Sequence, residues 1–281
     1  KVWTILLSIL TFSLSLLGTF LVRSGVITSV HSFASDPWRG LFILGILVVF
    51  IGGGLLMFAL RASLLRQGGL FAPVSREGAL VLNNLFLAAS TVAVLVGTLY
   101  PLVLETFSGA KISVGAPYFN LTAVPLFIVL LVLVPFGQSL AWKRGDLLGV
   151  MQRFLFAFGT SVLAALIVFA FTTGGPVMAP VGIGLGLWMI LGSATDVFIR
   201  IWPRRFDISI MISRAWGLPR SAWGTALAHA GLGISVIGIA ATAWGVEHIS
   251  ITKAGEKIFV GPYTVALETS FKRSGQGFRE E

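Results

Sequence analysis

Apolar residues run through this chain in long blocks rather than in the short alternations of soluble folds. Val2 to Val22, Gly40 to Leu60, Ala79 to Leu104, Phe154 to Thr195 and Ser221 to Val246 contain no Asp, Glu, Lys or Arg. A helix needs about 20 residues to cross a hydrocarbon core of about 30 Å. Only helices satisfy their own backbone hydrogen bonds within such a block. The pattern predicts an all-α polytopic membrane protein with about seven spans, at residues 2–22, 40–60, 79–101, 121–142, 154–172, 177–199 and 222–244. The fifth and sixth share one uncharged stretch, split by the turn sequence Thr172-Thr173-Gly174-Gly175-Pro176.

The polar gaps set a topology. Arg61, Arg66 and Arg76 follow span two; Lys143, Arg144 and Arg153 follow span four; Arg200, Arg204, Arg205, Arg214 and Arg220 follow span six. The Lys/Arg bias makes these loops cytoplasmic. The alternate loops are nearly neutral and face the other side, the periplasm in a Gram-negative cell. Beyond Val246 the pattern changes. Lys257 to Val260 and Tyr263 to Leu267 read as two strands around Gly261-Pro262. Residues 1–245 are therefore expected to form a transmembrane helical bundle, and 246–281 the beginning of a small extracytoplasmic β domain. The ends, at Lys1 and Glu281, read as those of a segment of a longer protein.

Small and polar residues suggest where spans meet. Gly224, Gly231, Gly238 and Gly245 recur every seven residues through span seven, a seam for close helix contact. Span six carries Gly182, Gly184, Gly186 and Gly192. Asn84, Thr91 and Thr98 repeat at the same spacing in span three. Asn83 or Asn84 is expected to hydrogen-bond across helices, as structural glue or as a substrate contact.

Composition narrows the function. The chain is 56% hydrophobic and 11% charged, with a mean hydropathy of +0.94. Its net charge of +9 lies in short loops beside spans, where it sets topology, and implies no nucleic-acid partner. The absence of cysteine excludes a disulfide framework, a thiolate metal site and a C-x-x-C-H heme attachment within this chain.

Three histidines remain. His31 lies in a small, apolar loop between the first two spans; such an imidazole is either a metal or heme-iron ligand or an ordinary loop residue. His229 sits inside span seven, where an ionisable residue is functional or structural at a high cost. It lies roughly 140° around the helix from Gly224, off the heptad seam. His248, beside Glu247, reads as a solvated boundary residue. Arg23 ends span one and either snorkels to headgroups or pairs with a carboxylate such as a heme propionate. Asp196 reads as interfacial. No nucleophile-base triad, Walker loop or paired-carboxylate arrangement is present.

The stretch Gly18-Thr-Phe-Leu-Val-Arg23-Ser-Gly25-Val-Ile-Thr28-Ser-Val-His31-Ser-Phe-Ala resembles the CcmF family of cytochrome c heme lyase subunits. So do Ser75-Arg-Glu-Gly78, Gly97-Thr-Leu-Tyr-Pro101, Lys111 to Asn120, Ala228-His229-Ala-Gly231 and Glu247-His248 through Glu256, in the family's order. The resemblance covers essentially the whole chain, as the C-terminal part of a family member. It implies a multi-pass bacterial inner-membrane protein that takes heme from a heme chaperone. With other cytochrome c maturation subunits, it helps form thioether bonds to apocytochrome c in the periplasm. It implies that His31 is the second histidine of a periplasmic heme-binding pair, and His229 the second of a transmembrane pair for a resident heme b. The first members of both pairs and the tryptophan-rich segment would lie upstream. The competing readings are a polytopic transporter built around Asn84, His229 and Arg23, and a structural membrane scaffold without heme ligation.

Overall fold

The structure is a computed structural model, and it describes residues 2–24, 37–64, 70–172, 175–245, 247, 250–269, 273–275 and 278–280. His31, His248 and the turn residues Thr173 and Gly174 lie outside the described residues. Among the described residues, seven helices are long and apolar enough to cross a membrane, as the block pattern predicts. They belong to two compact units, Lys1–Leu126 with Trp142–Arg144, and Phe127–Ala141 with Gly145–Glu281.

The first unit begins with α1 (Val2–Arg23). The second span is not one regular helix. It comprises α2 (Pro37–Leu47), a π-turn (Val48–Gly52) and α3 (Gly53–Arg61). α1 and α3 approach at Gly54, where a Cβ would sit 3.6 Å from Ile9. Phe12 meets Phe50 edge to face at 6.3 Å. α4 (Arg76–Ser108) is longer than the expected third span and runs through Pro101. Ser75 caps its start, accepting the Gly78 N–H at 3.0 Å, and Gly109 ends it in the left-handed region at φ 69°. α5 (Ala116–Ser139) starts in this unit. Its Tyr118 lies over Gly97 and donates its hydroxyl hydrogen to the Ala93 carbonyl at 2.9 Å. The two basic loops of this unit meet. Lys143 N–H donates to Glu77 at 2.7 Å, Ala72 N–H donates to the Lys143 carbonyl at 2.8 Å, and Arg76 lies 5.4 Å over the Trp142 ring.

The second unit is centred on α7 (Met178–Ile201), which buries nine of its residues. α6 (Leu147–Phe171), capped by Asp146, packs on one side of it. α9 (Arg220–Ala241) packs on another. Between α7 and α9 the third basic loop folds into a short helix, α8 (Ile208–Gly217), capped by Asp207. The loop reading missed α8. Its run of ten residues is too short to register as a membrane span.

The chain then leaves the helices for strands. β1 (Lys257–Val260) and β2 (Tyr263–Ala266) form the expected antiparallel hairpin, with Val260 opposite Tyr263 across the Gly261-Pro262 turn. Gly261 has φ 58°, which suits the missing Cβ. β3 (Arg273–Gly275) and β4 (Phe278–Glu280) form a second antiparallel pair.

The heptad seam expected in span seven is corrected by the structure. A Cβ on Gly224, Gly231 or Gly238 would meet nothing within 4 Å. The glycine of α9 that packs is Gly233, whose Cβ would lie 2.5 Å from the Gly186 carbonyl oxygen. Gly182 meets Ala240, and Gly186 also meets Ile237. Rising numbers on α7 pair with falling numbers on α9, so the two helices are antiparallel. A heptad marks a seam only where a supercoiled partner follows it, and α7 follows a different stripe of α9.

The polar seam of span three is corrected in the same way. Thr91 and Thr98 return their hydroxyls to Leu87 and Val94 of their own helix and are exposed. The buried positions lie one residue earlier, at Ser90 and Gly97. Asn83 donates to Asn84 at 3.5 Å, within α4 rather than across helices.

Candidate functional site at His229

Three contacts, spaced four residues apart along α7, seat α5 against it. Trp188 Nε1–H donates to the Val132 carbonyl at 3.2 Å. Gly192 leaves room for Pro135, whose Cβ would be 2.7 Å from an added methyl. Ser139 Oγ–H donates to Asp196 Oδ1 at 2.8 Å. Residues four apart share a helix face, so 188, 192 and 196 form one stripe. Trp188 also anchors α6, with Phe154 and Phe158 edge-on at 5.9 and 5.8 Å and Phe136 of α5 at 5.1 Å.

Asp196 is held twice more. Arg200, one turn on, reaches its Oδ2 with Nη2 at 2.9 Å and Nε at 3.0 Å. Asp196, expected from the sequence to be interfacial, lies near the end of α7 and is bonded from both sides. It ties the end of α5 to α7.

This clamp fixes Gln138, the residue before Ser139. Its Oε1 lies 2.6 Å from Nδ1 of His229 on α9. An amide oxygen only accepts, so Nδ1–H of the imidazole donates. In the neutral ring the other nitrogen, Nε2, then carries the lone pair. His229 is half-buried and lies nine residues into α9, about 14 Å along the axis at 1.5 Å per residue. Four residues on is Gly233, so His229 shares the face of α9 that packs on α7, one turn away from the contact. The seam it was expected to avoid is not the working one.

The other sequence candidates divide. Arg23 is the exposed last residue of α1. Asn84 lines an open groove of about 650 Å³ with Thr4, Ser8, Thr11 and Ser15 of α1, and Arg23 is not among the lining residues. Among the described residues no group of three or more His, Cys, Asp or Glu side chains is placed to hold a metal ion. A single imidazole completed by a second ligand elsewhere is the arrangement these residues allow.

Sequence reasoning missed Gln138 and Ser139. The signal was present: two adjacent hydrogen-bonding side chains close an otherwise apolar span, and Asp196 is the one acidic residue inside span six.

No protein-family model matches the chain. Over its full length it is 59% identical to the cytochrome c-type biogenesis protein CycK of Bradyrhizobium diazoefficiens, and it covers 43% of that protein. It is 39% identical, again over its full length, to the cytochrome c-type biogenesis protein CcmF of Pseudomonas aeruginosa, covering 42% of it. A solved structure of the cytochrome c heme lyase CcmF superposes on 85% of the chain with a TM-score of 0.58 at 28% identity, and 33% of that structure is covered. The chain spans about two-fifths of the length of the curated relatives it matches, in their C-terminal part. Over its whole length the chain is thus similar to the C-terminal part of the CcmF and CycK cytochrome c-type biogenesis proteins.

Proposed function

We propose that this chain is the heme-handling C-terminal part of a heme lyase subunit, in which His229 would hold the iron of a resident heme b. The observation that supports the ligand role is the 2.6 Å contact between His229 Nδ1 and Gln138 Oε1. A metal-binding histidine characteristically donates its other N–H to a protein acceptor, leaving a lone pair for iron. The donor chemistry fits heme: a neutral imidazole on a membrane helix, oriented by a neutral amide, with no thiolate in the chain. Heme iron supplies redox chemistry and affinity for a second axial base when bound. The protein's own part is to hold the ring plane, keep Nε2 unprotonated and exclude water with the packed α7 stripe.

His31 is assigned, through the family resemblance, to a second heme on the opposite side of the membrane. That side would be the periplasm, where heme delivered by a chaperone meets apocytochrome c and thioether bonds form. Arg23, at the end of α1, is positioned in sequence to meet a propionate. The orientation is supported by the meeting of the first two basic loops through Lys143, Glu77 and Ala72, since joined loops share a membrane face. The β tail after α9 then falls on the other face. A bacterial inner membrane and other cytochrome c maturation subunits as partners complete the reading.

Two substitutions in the full-length protein test it. His229→Ala is expected to abolish the b-type absorption bands of the purified protein; an unchanged spectrum and heme content would remove His229 as a ligand. His31→Ala is expected to lower the yield of c-type cytochromes in cells, and a normal yield would sink the second assignment.

A further inference from the structure

We infer that Gln138 is a positioning residue for heme iron, acting through His229. The inference rests on the heme b reading above. It begins from a choice the structure makes. The α5–α7 clamp holds a charged acceptor, Asp196, and α5 carries a neutral one beside it, Gln138. The charged one is already occupied. Asp196 Oδ1 accepts from Ser139 at 2.8 Å, and its Oδ2 faces Arg200 at 2.9 and 3.0 Å. The imidazole N–H goes to the amide oxygen of Gln138, at 2.6 Å.

That choice has three consequences. The tautomer is set, because an amide oxygen cannot donate; Nε2 is the nitrogen left for iron. The ligand stays a neutral imidazole, because an amide draws the Nδ1 proton less strongly than a carboxylate would. A less basic ligand favours ferrous over ferric iron, so an amide at 138 holds the heme potential above the value a carboxylate would set. The ring orientation is also tied to α5. Gln138 follows the Trp188–Val132 and Gly192–Pro135 contacts along that helix and precedes the Ser139–Asp196 bond. Any displacement of α5 along α7 would be transmitted to the imidazole.

The test uses the full-length protein purified from membranes with its heme. Gln138→Glu keeps size and shape and exchanges the amide for a stronger acceptor; it is expected to retain heme and lower the midpoint potential. Gln138→Leu removes the acceptor and is expected to weaken heme retention about 10- to 100-fold. It should also shift the iron–histidine stretching band in the resonance Raman spectrum. Retention in the Glu variant should return to within a few-fold of the parent. An unchanged midpoint potential in Gln138→Glu overturns the inference, whatever the Leu variant does, because a merely structural glutamine would affect folding and not potential. His229→Ala separates this failure from failure of the reading beneath it. If that variant loses heme while Gln138→Glu leaves the potential unchanged, His229 is a ligand and Gln138 does not tune it. If it keeps its heme, the ligand assignment itself falls.

Discussion

The two compact units treat apolar sequence in opposite ways. The span formed by α2 and α3 is the most apolar of the seven, and its π-turn and α3 bury no residue against protein. The span formed by α7 is the least apolar, and it buries nine residues, whereas α1 of the first unit buries Ser13 alone. In water this would be paradoxical. In a bilayer, lipid tails solvate leucine as well as a protein interior does, so apolarity does not drive helices together. Small residues that let backbones approach, and polar ones that bond across, do so instead. α7 has both, in Gly182, Gly184, Gly186 and Gly192 and in Trp188 and Asp196.

This contrast can be broken by substitution. The largest effect is expected from Trp188→Ala, which empties the junction of α5, α6 and α7. It should cost about 3–5 kcal/mol in reversible unfolding in mixed micelles. Phe42→Ala, at an exposed α2 position of the first unit, should cost less than about 0.5 kcal/mol by the same measurement. Equal losses would remove the distinction between the units.

Next is a pair of glycine substitutions. Gly186→Ala drives a methyl to within 2.5 Å of the Gly233 carbonyl oxygen, which as backbone cannot rotate away. A loss of about 1–3 kcal/mol is expected. Gly231→Ala, on the heptad face that meets nothing, should be neutral or stabilising by about 0.5–1 kcal/mol through helix propensity. A reversal of the two would restore the heptad seam.

Ser139→Ala should cost about 1 kcal/mol, since it strips one partner from Asp196 but leaves Arg200 in place. In the heme-bound full-length protein proposed above, the heme spectrum should also broaden as the α5 clamp loosens. The smallest effect belongs to the first unit. Tyr118→Phe deletes its bond to the Ala93 carbonyl and should cost about 0.5 kcal/mol, with the heme spectrum unchanged. A loss as large as that of Ser139→Ala would remove this ranking.

Much of the architecture was legible because a bilayer imposes a simple rule. Uninterrupted apolar blocks of about 20 residues become helices; the caps at Ser75, Asp146 and Asp207, which extend α4 and α6 and start α8, went unread. The hairpin at Gly261-Pro262 was equally open, since a turn and its flanking alternation are local. Helix faces were not. Gly224, Gly231 and Gly238 form a regular pattern that meets nothing, whereas the single Gly233 makes the contact. A helix carries several plausible stripes, and its own sequence does not say which one a neighbour will use.

The same division runs through the site. Sequence alone determined that His229 lies within a membrane helix, because cost in hydrocarbon makes such a residue conspicuous wherever its neighbours stand. Only the tertiary structure decided that Gln138, 91 positions away, accepts its N–H, and that Asp196 is spoken for by Ser139 and Arg200. Hydrogen bonds between helices depend on the rotation and depth of each helix, and those are set by how α5, α7 and α9 pack rather than by any residue of one of them.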